Sequence, residues 1–358
     1  MTGRRPQRVA LVIGQLTRGG AEGQLAQLVR GLDPARFVPT VYCLSAHTEP
    51  VGRELAAAGV RLRVLTGNGL RRSRDLAWHF DADGIDLVHS WLYLGNAMSG
   101  VAHLWRPSRP LITSARNCKR QGEINRLANV LAFRVSRRIV ANSRDVATYI
   151  MRTYAAPATP IRVIYNGIDV ERFSPAVEAE RPGPIVTIGR MVEQKNHALF
   201  LQAAAALGQE MAHMRFVIVG DGPLRGSLEG QAARLGIADR VTFAGQRGDV
   251  ETILPAASLF WLTSRWEGMP NVILEAMACG VPVLTPDVGG VRELVRDGVD
   301  GFIVPRDDAH AFVLRSRQLL NDTVLWRSQS RAARGRAEEF STANMIETMA
   351  QVYSEVTP

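Results

Sequence analysis

The sequence predicts an α/β protein built from two Rossmann-like, doubly wound domains facing a cleft. Three observations carry this expectation. Apolar runs of four to eight residues alternate with helix-length segments along most of the chain. Runs that are apolar on both faces suit a parallel sheet covered by helices on each side. The alternation breaks once, at the proline-bearing, charged stretch FSPAVEAERPGPIV (173–186), and then restarts. Finally, 358 residues with 46% apolar and 22% charged content suit two packed domains.

The strand segments of the first half are VALVIGQL (9–16), FVPTVYCL (37–44), RLRVL (61–65), DLVHSW (86–91), PLITSA (110–115), RIVANS (138–143) and IRVIYN (161–166). Between them AEGQLAQLVRGL, GRELAAAG, NAMSGVAHLW, INRLANVLAFRV and RDVATYIMRTY carry helical spacing. Prolines 175, 182 and 184 sit among charges with little periodicity, which marks a linker. The second series of strands is IVTIG (185–189), RFVIVG (215–220), VTFAG (241–245), LFWLTS (259–264), VPVLT (281–285) and GFIVP (301–305). The C-terminal stretch is helical. The expected domains are therefore 1–172, a linker at 173–184, 185–338, and a C-terminal helix at 339–358.

Composition excludes several classes. Cys43, Cys118 and Cys279 are too few and too scattered for a disulfide framework or a zinc cluster. The apolar run after the basic start MTGRRPQR ends at Gly14, too soon for a signal peptide, and no run approaches the ~18 residues of a membrane span. The expected location is the cytoplasm. Charge is uneven: residues 1–175 hold 25 Lys and Arg against 12 Asp and Glu, while residues 176–358 hold 18 against 22. A basic half suits phosphate-bearing ligands, an anionic membrane face, or a plain solvated surface. Only Lys119 and Lys195 are lysines among 43 basic residues, which hints at a need for a compact ammonium.

In open α/β sheets ligands bind outside the carboxyl ends of the strands, so the strand-end loops are the candidate site. Gly19 and Gly20 precede a helix, where backbone N–H groups can approach an anion. The loop is neither a GxGxxG fingerprint nor a Walker loop, and it also fits a tight turn. Arg190 follows the strand 185–189, and Lys195 opens the next helix, a fork and a point charge suited to a diphosphate. Gly220-Asp221-Gly222-Pro223 reads as a structural turn bordering a ligand. The strongest signal is Glu267-Gly268-Met269-Pro270-Asn271 running to Glu275. Its 268–271 backbone is expected to present N–H groups at a helix start near Pro270, between two carboxylates that accept from sugar or ribose hydroxyls.

These features resemble the retaining glycosyltransferases of family 4, with the GT-B fold. The resemblance rests on Gly19-Gly20, Asn166-Gly167-Ile168-Asp169, Gly189-Arg190 with Lys195, Gly220-Asp221-Gly222-Pro223, and Glu267 and Glu275 with seven residues between them. It extends over the whole chain, through Glu275-Ala276-Met277-Ala278-Cys279-Gly280. It implies a nucleotide-sugar donor, UDP favoured over GDP, bound by the second domain. Arg190 and Lys195 would neutralise the diphosphate, Glu275 would take the ribose, and Glu267 with Gly268, Met269, Pro270 and Asn271 would hold the sugar. Gln246 and Arg247 would flank the base, Asn166, Gly220 and Asp221 would border the donor, and Gly19 and Gly20 would close over it. The last helix would pack back on the N-terminal domain.

The implied reaction moves a hexosyl or N-acetylhexosaminyl unit to a lipid-linked or polysaccharide-precursor acceptor. With no carboxylate pair of the metal-binding kind, the cations and the helix dipole take the Lewis acid's part, so neither metal nor cofactor is expected. One position departs from the pattern: Arg116 stands where such enzymes often carry a His, and Arg cannot act as a general base, so phosphate or sugar oxygen is its expected ligand. His89 is another strand-end residue. Arg71-Arg72-Ser73-Arg74 and Lys119-Arg120 suggest peripheral docking on an anionic inner membrane face. The competing readings are a GT-B nucleotide-sugar epimerase and a non-catalytic sugar- or nucleic-acid-binding protein; aromatic stacking motifs are missing from the basic runs, which disfavours nucleic acid.

Overall fold

The computed structural model describes residues 5–118, 122–154, 158–176 and 183–357. The chain divides into two compact units, Met1–Gly167 with Thr342–Pro358, and Ile168–Ser341. Lys119 and Arg120 lie outside the described residues.

The first unit is a parallel sheet of β1 (Gln7–Ile13), β2 (Phe37–Cys43), β3 (Arg61–Val64), β4 (Leu87–Trp91), β5 (Leu111–Ala115), β6 (Arg138–Ala141) and β7 (Ile161–Val163). Its order is β3-β2-β1-β4-β5-β6-β7, so the winding reverses between β1 and β4. β1 is buried from Val9 to Ile13 and β4 along its whole length, as two-sided apolar runs require. Helices Leu92–Trp105 and Glu123–Val135 pack closely because Gly100 has no side chain; a Cβ there would sit 2.7 Å from the Ala132 backbone. The helix Thr342–Val356 belongs to this unit and buries Met345, Met349, Val352 and Tyr353 with Val9, Leu11 and Leu28.

The second unit is a parallel sheet of β8 (Ile185–Ile188), β9 (Phe216–Val219), β10 (Val241–Gly245), β11 (Leu259–Trp261), β12 (Val283–Pro286) and β13 (Gly301–Val304), in the order β10-β9-β8-β11-β12-β13. The reversal falls between β8 and β11. Trp261 anchors the core, with Phe200 and Phe312 at ring distances of 5.4 Å and its indole N–H donated to Ser316. Both units are thus doubly wound.

Residues 168–176 differ from the expected boundary and linker. Arg334 donates from Nη1 to the carbonyls of Val170, Phe173 and Ala278, at 3.0, 2.8 and 2.8 Å. Ile168 bridges to Ser341, and Phe173 is buried. One guanidinium therefore fastens this stretch to the second unit, which a reading of prolines and charges does not reveal. Among the described residues no helix is long and apolar enough to cross a membrane.

Candidate functional site

The second unit gathers its candidate residues at the carboxyl edge of its sheet. The loop after β8 carries Arg190, then a short 3-10 turn Glu193–Lys195, then Asn196 in the left-handed region at φ 48°. The stem of Lys195 lies across Gly189, where a Cβ would meet its Cγ, Cδ and Cε at 3.1–3.2 Å. That glycine lets the lysine fold back, and its ammonium reaches Glu267 Oε1 at 2.6 Å. The pair is well covered, with side chains 20% and 9% exposed. Arg190 is exposed and makes no side-chain hydrogen bond or ion pair among the described residues. The structure therefore joins Lys195 to the Glu267 loop and leaves Arg190 available.

Three further bonds tie the same two loops. Arg265 N–H donates to Gln194 O at 2.8 Å, Gln194 Nε2 to Trp266 O at 2.9 Å, and Thr263 Oγ1 to Lys195 O at 2.9 Å. The loops after β8 and β11 flank the reversal of winding, the position where such sheets bind ligands. Two glycine turns brace them. Gly220, at φ +134°, lies against Gly189 O, and Met191 N–H donates to Asp221 O at 2.9 Å. Asp221 caps its own turn through Gly222 N–H at 2.7 Å, which is a structural role. On the other side Gly289, at φ +53°, lies against Glu267 O, and Gly290 N–H donates to Gly268 O at 2.7 Å. Gly289-Gly290 escaped the sequence reading, although a Gly-Gly pair after a strand is the signal that singled out residues 19 and 20.

The helix behind Glu267 runs Asn271–Ala278 with Pro270 at its N-cap. Proline has no N–H, so Pro270 shapes the turn and cannot donate, a correction to the expected donor set. Gly268 and Met269 are buried, and Asn271 opens the helix. Glu275, one turn in and half-buried, has its carboxyl pushed up to about 7, chiefly by desolvation; Glu251 adds to the rise, while Arg172 and Lys195 oppose it. Arg172 pairs with Glu251 at 3.0 Å. Neither residue was anticipated, because their approach depends on the packing of residues 168–176. Gln246 and Arg247 are exposed after β10, with Arg247 forked onto Asp249 at 2.8 and 2.6 Å.

In the first unit the candidates also sit at strand carboxyl ends. Gly19 is the extended N-cap of the helix Gly20–Gly31. The Glu22 carboxylate tucks under it, 5% exposed, with Gln15 Nε2 at 3.4 Å. A carboxylate thus already occupies the helix start that the sequence suggested for an anion. Burial raises its pKa. Arg116, after β5, donates to Asn166 Oδ1 at 2.7 Å and stacks on Trp91. His89 is fully buried between Tyr353 Oη and Ser114 Oγ, each at 2.7 Å, and desolvation holds it neutral, so it is structural.

Two doubly wound units with glycine-braced strand-end loops, the second pairing a lysine with a carboxylate at its winding reversal, define a two-domain α/β protein with its loops where such sheets bind ligands. Residues 18–172 match the family Glycosyltransferase Family 4, and residues 183–322 match Glycosyl transferases group 1. The chain belongs to the family 4 glycosyltransferases. It is 33% identical over 204 residues to the UDP-Gal:alpha-D-GlcNAc-diphosphoundecaprenol alpha-1,3-galactosyltransferase of Escherichia coli, covering 53% of this chain and 52% of that protein. It is 33% identical over 244 residues to the D-inositol 3-phosphate glycosyltransferase of Salinispora tropica, covering 61% and 51%. The chain thus spans about half the length of these curated relatives. The GT-B fold is shared with Anabaena Alr3699/HepE in complex with UDP-glucose, at TM-score 0.87 and 22% identity over 97% of this chain and 99% of that one.

Proposed function

We propose that the protein transfers a hexosyl or N-acetylhexosaminyl unit, with retention, from a nucleotide-diphosphate sugar to a lipid-linked or polysaccharide-precursor hydroxyl. The observation that carries this reading is the Lys195–Glu267 contact beside Arg190 at the winding reversal of the second unit. A departing diphosphate needs its growing charge neutralised. Lys195 supplies an ammonium that can turn from Glu267 to phosphate, and Arg190 a fork with no competing partner among the described residues. Glu267 and the Gly268–Met269 turn hold the sugar, Glu275 accepts from the ribose, and Gln246 and Arg247 border the base.

The anomeric carbon–phosphate oxygen bond breaks as the acceptor oxygen bonds to the same face. The acceptor proton passes to the leaving phosphate. Because two side-chain cations and a helix start meet the charge, the reaction is expected to proceed in EDTA. UDP is favoured as the nucleotide, in keeping with the bound ligand of Anabaena HepE and the name of the E. coli relative. The test is consumption of UDP-sugars by the purified chain with lipid extracts as acceptor. Product NMR should show an unchanged anomeric configuration; hydrolysis only, or inversion, would contradict the reading.

Lipid-linked acceptors place the protein at a membrane surface, on its cytoplasmic face. Leu70, Ile124 and Leu127 are 72%, 85% and 60% exposed in the first turns of helices Gly69–Ala82 and Glu123–Val135, which both pack on Leu92–Trp105. Arg71 and Arg74, on the same helix as Leu70, have side chains 72% and 64% exposed, each 3.8 Å from an Asp75 carboxylate oxygen. Apolar side chains among arginines suit anionic headgroups. Arg72 instead donates to Leu44 O and serves the fold.

A further inference from the structure

The carboxyl edge of the first unit holds a guanidinium that its own surroundings leave short of partners. Arg116 is 7% exposed. Of its five N–H bonds, the only one with a partner among the described residues is an Nη1 donor, which reaches the neutral amide oxygen of Asn166. Nε and Nη2 are closed to solvent and have no partner among the described residues. No carboxylate forms an ion pair with Arg116 among the described residues. Its other contact is the face of Trp91, 3.9 Å from guanidinium carbon to ring centroid.

Two more orphans adjoin it. Trp91 is the last residue of β4, fully buried, and its Nε1 has no partner among the described residues. Asn142 follows β6, 2% exposed; its Nδ2 is 3.4 Å from Arg116 O, and its Oδ1 has no partner among the described residues. Buried polar atoms are nearly always satisfied, and a buried charge nearly always has a counter-charge. Here four such atoms cluster at the ends of neighbouring strands. The next residue, Leu92, is held at φ 61°, a conformation that a branched side chain rarely adopts.

We propose that Arg116, with Trp91 Nε1, forms an oxyanion-binding site in the first unit, built for a phosphoryl or carboxylate group of a substrate. Planar forks favour such groups, which offer two acceptor oxygens at matching spacing. Asn166 and the Trp91 face hold the fork in place, and Asn142 supplies an acceptor for a ligand hydroxyl. The proposal rests on residues of the first unit alone, none of them in the Arg190–Lys195 loop. It deepens the transferase reading by requiring a negatively charged group on donor or acceptor, yet binding is measurable without turnover.

The test uses the full chain carrying Lys195→Met and Arg190→Met, so that the second unit's two cations do not contribute. Inorganic phosphate and glucuronate are titrated by calorimetry, with the Arg116 Nε–H signal followed by 15N NMR. Stabilisation by phosphate alone marks a phosphoryl ligand, and by glucuronate alone a carboxylated sugar. In either case Arg116→Met should weaken binding about 30-fold or more. It should also leave Tm unchanged or raised, because an apolar chain of similar size replaces an uncompensated charge. Arg116→Lys, which keeps the charge but loses the fork, provides a second variant should the first fail to fold. The proposal is overturned if neither anion shifts the Nε–H signal at saturation, or if binding survives both substitutions.

Discussion

Replacing Lys195 by Met tests the pair at the winding reversal. The substitution removes a 2.6 Å charge-assisted bond and strands a carboxylate whose side chain is 9% exposed. An unpaired buried charge of this kind costs about 1–3 kcal/mol. For a unit the size of Ile168–Ser341, each kcal/mol moves Tm by about 2–4 °C, so a fall of about 2–12 °C is expected. Glu267→Gln should cost less, because the ammonium is 20% exposed and can turn to water. The double variant should recover part of the loss, with a coupling of about 0.5–3 kcal/mol. UDP binding separates the roles. Lys195→Met should weaken UDP about 10- to 100-fold. Glu267→Gln should leave UDP binding equal or tighter, since it removes the competitor for Lys195, while weakening the intact UDP-sugar. Thermal unfolding and calorimetry on the four proteins give both readouts. Additive Tm changes, or equal loss of UDP affinity in the two single variants, would refute the reasoning.

Other expectations follow from the same geometry. Gly289→Ala forces a side chain into the left-handed region and against Glu267 O; the backbone part alone costs about 1–2 kcal/mol, so Tm should fall by about 2–8 °C and UDP-sugar affinity should drop with it. Glu275 titrates near 7 when folded against an ordinary 4.5, so between these values the folded chain holds a proton that the unfolded chain has released. Its contribution therefore makes stability decline as pH rises through that window, and Glu275→Gln should flatten the decline in Tm-versus-pH curves. If the carboxylate form receives the ribose, UDP should bind up to about tenfold more weakly at pH 6 than above pH 7 in the parent and show no such change in Glu275→Gln. Flotation with vesicles rich in phosphatidylglycerol should capture the protein at low salt and release it as salt screens the arginines. Leu70→Asp with Ile124→Asp should abolish capture without lowering Tm, as exposed positions tolerate substitution; undiminished capture would remove these residues from the docking face.

The sheets were legible because a parallel strand writes its burial into consecutive apolar residues. All thirteen expected segments contain a strand, though several are shorter at the carboxyl end: LFWLTS yields only Leu259–Trp261. Thr263 and Ser264 leave the ladder because the loop they enter is tied to Gln194 and Lys195. Glycine motifs and the two carboxylates were legible as spacings along one loop. What brings distant loops together was not. The Arg172–Glu251 pair, the clamp of Gly289 on Glu267, and the three carbonyls gathered by Arg334 each join residues far apart in sequence. Glu22 was hidden for another reason: whether a helix start stays open depends on a rotamer, and here its own side chain fills the space below Gly19.

A crystal structure with UDP bound would interrogate the second unit's loops most directly. The diphosphate should lie within hydrogen-bonding distance of Lys195 Nζ and the Arg190 guanidinium, with the ammonium drawn off Glu267. A nucleotide bound elsewhere, over an undisturbed Lys195–Glu267 pair, would contradict the account.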